Sequence, residues 1–128
     1  MKTLGISKHI YTYLMNSKEL REVVGDKIYP IATKNEVTFP FIVYQRESLS
    51  PLYDKGGMST VSSNVNIYIL SESYSQSIDI AEIVVKALDR VDADYLDFRV
   101  IGASLIAADE DYINQTYVQK LTFNFRTK

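Results

Sequence analysis

Val61-Ser62-Ser63-Asn64-Val65-Asn66-Ile67-Tyr68-Ile69-Leu70 alternates at period two. Val61, Val65, Ile67 and Ile69 fall on one face, and Ser62, Asn64, Asn66 and Tyr68 on the other. That is the pattern of a strand with one face in a core and one face wet. The apolar face needs a cover, and the following sequence supplies one. Over residues 74–91, Tyr74, Ile78, Ala81, Val84, Val85, Leu88 and Val91 recur at helical spacing and form an apolar stripe. Ser73 or Ser75 suits the helix start, and Asp79 lies near its positive end.

N-terminal to the strand, residues 48–60 are rich in turn formers (Ser48, Ser50, Pro51, Asp54, Gly56, Gly57, Ser59) and read as a long loop. Before it, Pro40 opens the run Phe41-Ile42-Val43-Tyr44-Gln45-Arg46, a strand in which Phe41 and Val43 are expected in the core. Residues 28–32 form a short strand that Pro30 restricts to an edge or bulge, and residues 34–38 form a polar turn. Residues 6–24 read as helix from the spacing of Ile6, Ile10, Tyr13, Leu14, Leu20, Val23 and Val24. Ser7 is a candidate cap, Asn16-Ser17 a break, and Gly25 a left-handed stop. C-terminal to the helix, residues 92–97 form a polar turn and residues 98–107 a strand interrupted at Gly102. Asp109-Glu110-Asp111 turn the chain, and residues 112–126 form a last strand. There Tyr117, Leu121, Phe123 and Phe125 oppose Lys120, Thr122, Asn124 and Arg126. The expected fold is α+β, in the order α-β-β-β-α-β-β. It has a mainly antiparallel sheet of about five strands and two helices, in one domain over residues 1–128.

Composition narrows the function. The formal charge is −2 and the charges are mixed, with no basic run to neutralise a row of phosphates. Without cysteine there is neither a disulfide framework nor a thiolate metal site. No signal peptide or bilayer-spanning stretch is evident, and an intracellular, soluble protein is expected. Ten tyrosines and no tryptophan suit core margins and interfaces alike.

The chemistry that could be built is sparse. His9 is the only histidine, and no G-x-S-x-G elbow accompanies it, so a helix-surface or packing role is expected. The acids of residues 92–97 fail the calcium-loop pattern, with Leu96, Asp97 and Ala103 at its fifth, sixth and twelfth positions. Asp109, Glu110 and Asp111 lie side by side rather than across a cleft. Gly56-Gly57 lacks the Lys-Ser/Thr of a phosphate loop. No catalytic, cofactor or metal residue is therefore assigned. The polar faces of the strands remain as candidate interface.

The run Leu20-Arg21-Glu22-Val23-Val24-Gly25-Asp26-Lys27-Ile28-Tyr29-Pro30 resembles the V-G-D-[RK]-I-Y-P turn of small tail-completion proteins. These are head–tail joining, or tail-terminator, proteins of long-tailed bacteriophages and prophages. Pro40-Phe41-Ile42-Val43-Tyr44-Gln45 is similar to their P-[FY]-I-V-Y-Q strand, and Val65-Asn66-Ile67-Tyr68-Ile69 to their V-x-I-x-[IV] strand. The likeness spans about residues 6–91; the last two strands match only in kind.

The resemblance implies a structural subunit without enzymatic activity. It would form a ring, commonly a hexamer, that caps the tail tube and joins it to the head connector. It would assemble in the bacterial cytoplasm and end in the virion neck, with no membrane and no sequence-specific nucleic acid as partner. A non-phage adaptor or regulatory domain of the same class is the alternative. A ring needs two unlike patches on each subunit. Tyr53, Asp54, Lys55, Gly56, Gly57 and Met58, at the tip of the expected loop, are the candidate subunit contacts.

Overall fold

The computed structural model describes residues 2–33, 36–89 and 92–128, and within these all side chains except those of Lys2, Thr3, Asp54, Met58 and Ser59. The expected turn residues Lys34 and Asn35 and the expected stripe residue Val91 lie outside the described residues. A 3-10 turn (Lys2–Gly5) leads into α1 (Ser7–Met15) and α2 (Lys18–Val24). There follow β1 (Ile28–Pro30), β2 (Phe41–Asp54), β3 (Gly57–Ser71), α3 (Tyr74–Leu88), β4 (Ala93–Asp94), β5 (Arg99–Ile113) and β6 (Thr116–Thr127). The class is α+β as expected, but the described residues hold three α-helices and one six-stranded sheet in the order β1-β2-β3-β6-β5-β4. β1 runs parallel to β2 and every other pair is antiparallel.

The extra helix arises at the foreseen break. Ser17 adopts extended backbone, and its Oγ accepts from Leu20 N–H at 3.3 Å, so a new helix starts there. Ser7 does not cap α1; Ile6 precedes it and makes no side-chain cap. Gly25 closes α2, but at φ +64° and ψ −126° rather than in the left-handed helical conformation expected of it, a setting that glycine adopts without a Cβ clash. At α3 the capping serine is Ser73, whose Oγ accepts from Gln76 N–H at 3.3 Å.

All three helices pack on one sheet face. Ile10 and Leu14 from α1, Leu20 and Val24 from α2, and Ile80, Val84 and Leu88 from α3 meet Val65, Ile67 and Ile69 of β3 and Leu121, Phe123 and Phe125 of β6 in a single core. The period-two reading of β3 and β6 therefore holds. In β2 the expected core residues Phe41 and Val43 are only half-buried, and Ile42 and Tyr44, on the other face, are buried instead. A nearly continuous apolar run carries no parity of its own, and register decides which side turns inward. Phe41 instead stacks on Phe39 at 5.4 Å.

Three expected turns hold strand. Within the expected turn at residues 92–97, Ala93 and Asp94 pair with Val100 and Arg99 as β4. Residues 48–60 are not a loop, because β2 and β3 stay paired to Asp54↔Gly57 around Lys55-Gly56. Likewise Asp109, Glu110 and Asp111 lie within β5, and the chain turns at Asn114 and Gln115, at φ +51° and +62°. Positive φ at both central residues is the primed hairpin turn that suits the sheet's twist.

Candidate assembly surfaces

The register places two hairpin arms at opposite ends of the sheet. β3 meets β6 from Val61↔Thr127 to Ser71↔Tyr117. Residues 52–60 of the β2–β3 hairpin therefore project past the end of β6. The β5–β6 turn at Asn114-Gln115 projects past the other end of β3. β1 covers β2 only at Ile42, Val43 and Tyr44, so β2 beyond this point is an edge strand, which also accommodates Pro51.

The six candidate contact residues form the tip of the first arm. Tyr53 is 71% exposed, Leu52 is half-exposed, and Lys55, Gly56 and Gly57 are exposed; the side chains of Asp54 and Met58 lie outside the described residues. Gly57 takes φ +109° as the arm leaves its turn. A paired ribbon is stiffer than a loop. It offers an aromatic ring and an open strand edge to a partner with less ordering cost.

The second surface is the sheet face away from the helices. Thr122 Oγ1 donates to Asn66 Oδ1 at 2.8 Å, and Asn124 Nδ2 donates to Ser62 Oγ at 2.7 Å and to Asn64 Oδ1 at 2.9 Å. These cross-strand bonds join β3 to β6 and turn a row of amides and hydroxyls into a fixed lattice. Tyr68, Lys120 and Arg126 flank it on the same face.

At the root of the β5–β6 arm, Tyr74 Oη donates to Glu110 at 3.0 Å and Gln119 Nε2 donates to Glu110 Oε2 at 3.1 Å. Gln119 also reaches Ser77 Oγ at 3.3 Å. The Glu110 carboxylate raises the Tyr74 phenol above its ordinary pKa, because the bond it accepts favours the protonated form. Tyr74, Tyr117 and Tyr112 form a chain of ring contacts at 5.6 and 4.7 Å. Glu110 thus braces the arm against α3.

A third feature was not legible in the sequence. An apolar cleft of about 260 Å³ opens between the N-terminal 3-10 turn and the end of β1, lined by Leu4, Ile6, Ile31, Tyr44 and Arg46 among others. Leu4 and Ile31 are 54% and 69% exposed. Ile31 holds φ +65°, a strained setting for a β-branched residue, with its N–H bonded to Tyr44 O at 2.8 Å. Arg46 Nη1 donates to Leu4 O at 2.8 Å and closes the cleft's far side.

The remaining groups weighed for chemistry sit in structural settings. His9 is buried among the rings of Tyr13, Tyr95 and Phe125, with Nδ1 2.8 Å from Tyr95 Oη. Burial pushes its imidazole down to about 4, so it packs as a neutral ring. Asp92 and Asp94 pair with Arg99 at 3.4 and 3.3 Å. Among the described residues, no group of three or more acids, histidines or cysteines is arranged to hold a metal, and no helix is long and apolar enough to cross a membrane.

Residues 8–128 match the model of a family described as tail completion protein gp17. A chain from a solved structure titled "Virion of native gene transfer agent (GTA) particle" is similar to this one. Its TM-score is 0.83 at 18% identity, over 92% of this chain and 90% of that one, which shows a shared fold. Comparison with curated proteins finds no match.

Proposed function

The chain belongs to the tail completion protein gp17 family, and we propose that it completes a phage-type tail, as a single domain forming a ring that caps the tail tube and joins it to the head connector. The observation that carries this reading is the family match over residues 8–128. The surfaces are suited to it. Two arms at opposite ends of one sheet give each subunit a reach along two directions. The unlike patches at its edges fit the heterologous contacts that a ring requires. The fold shared with a chain of a virion particle is compatible with a place in the particle's neck. The Tyr53–Lys55–Gly57 tip would meet the tail tube, the connector or a neighbouring subunit.

The test is removal of this chain alone from a particle-producing cell. Separate heads and unjoined tails in electron micrographs are expected, with joining restored when the chain is supplied. Normal joined particles in its absence would overturn the assignment.

A further inference from the structure

The two open edges of the sheet carry a matched pair of features at the same height. Across the sheet, Arg46 pairs with Val65, Val65 with Phe123, and Phe123 with Leu105; Gln45 leads through Asn66 and Thr122 to Ala107. The bulged residue between Leu105 and Ala107 is Ile106, which is 54% exposed. Ile106 on the β5 edge therefore stands level with Gln45 and Arg46 on the β2 edge, where the Leu4–Ile31 cleft opens. One edge bears an apolar knob, and the other an apolar hole.

Direction agrees as well. Three successive antiparallel pairings separate β2 from β5, so the two edge strands run in opposite senses. A ring whose axis lies along the strands keeps every copy's strand direction and height. It would set β5 of one copy beside β2 of the next as an antiparallel pair. Arg46 rims the cleft, and the acids Asp109-Glu110-Asp111 lie further along the β5 edge, level with Val43, Ile42 and Phe41. One donor of that edge, Leu105 N–H, is already held by Asp89 Oδ1 at 3.2 Å, which places the contact in side chains as much as in a new strand ladder.

We propose that Ile106 of one copy seats in the Leu4–Ile31–Arg46 cleft of the next, and that this knob-in-cleft contact closes the ring. The proposal rests on the ring reading above and names its interface as a second copy of this chain.

The absence of native cysteine makes the test clean. Ile31→Cys and Ile106→Cys are introduced together and singly, and the protein is oxidised and run without reductant, with native mass spectrometry of the unmodified chain or of the neck complex in parallel. The double variant should give a ladder of covalent oligomers ending at the ring size, whereas each single variant should stop at dimer or monomer. A ring seen by mass spectrometry without a ladder overturns the interface and leaves the ring reading standing. Absence of any ring, alone or in the particle, overturns both. Ile106→Asp supplies the second arm: a folded subunit that no longer assembles is expected, and full assembly would contradict the contact.

Discussion

Thr122 Oγ1 and Asn66 Oδ1 face each other across β6 and β3 at 2.8 Å, and both residues are buried on a sheet face that carries no helix. An amide oxygen this far buried that loses its donor has little water to replace it. Thr122→Val should therefore cost about 1–3 kcal/mol, while Thr122→Ser should keep most of that stability. Urea midpoints of the three proteins check this.

Gly25 supplies a second test. An added Cβ there meets nothing within 4 Å, so any cost of substitution is backbone strain alone. At φ +64° and ψ −126°, a backbone setting that suits glycine, Gly25→Val should destabilise by about 1–3 kcal/mol with the folded structure retained. Thermal melts and far-UV circular dichroism measure both parts.

Ile31 is the mirror case. Its φ of +65° places a β-branched side chain where glycine would be at ease, and the side chain is mostly exposed. Ile31→Gly should raise the stability of the isolated subunit by about 1 kcal/mol. The same change removes a wall of the cleft and should weaken assembly. A stabilised subunit with impaired ring formation separates the two effects.

The pH dependence has a definite sign. His9 titrates at about 4 in the folded chain against an ordinary 6.5. Between those values the unfolded chain binds a proton that the folded one refuses, so stability is full above the upper value and falls as pH drops toward the lower one. The loss by pH 4 is on the order of 2 kcal/mol once solvent screening is allowed for. His9→Phe should flatten that part of the profile. Urea denaturation of both proteins at several pH values between about 7 and 4 is the measurement.

What the sequence disclosed follows from what periodicity can carry. β3 and β6 were legible because Val65, Ile67, Ile69, Leu121, Phe123 and Phe125 alternate against polar residues. Phe41 and Val43 were misplaced because a continuous apolar run leaves parity to register. The arm over residues 48–60 read as loop because its Ser, Pro, Asp and Gly residues are turn formers, whereas main-chain pairing holds them in a ribbon. The acids at 109–111 read as a turn for the same reason; an edge that stays wet lets them lie in a strand. The candidate contacts Tyr53, Lys55, Gly56 and Gly57 sit at an exposed tip, of a hairpin rather than a loop. The cleft was invisible, because Leu4, Ile31 and Arg46 lie far apart in sequence and converge only when β1 stops short along β2.

On the proposed reading, this chain joins subunits through its projecting surfaces. The most direct measurement replaces residues 53–58 by a two-residue turn and follows both folding and particle assembly. The arm lies beyond the end of β6, outside the core. The trimmed subunit should therefore keep its melting transition and its circular dichroism, while electron micrographs show heads and tails left apart. A trimmed subunit that still yields joined particles at the normal level would contradict the account.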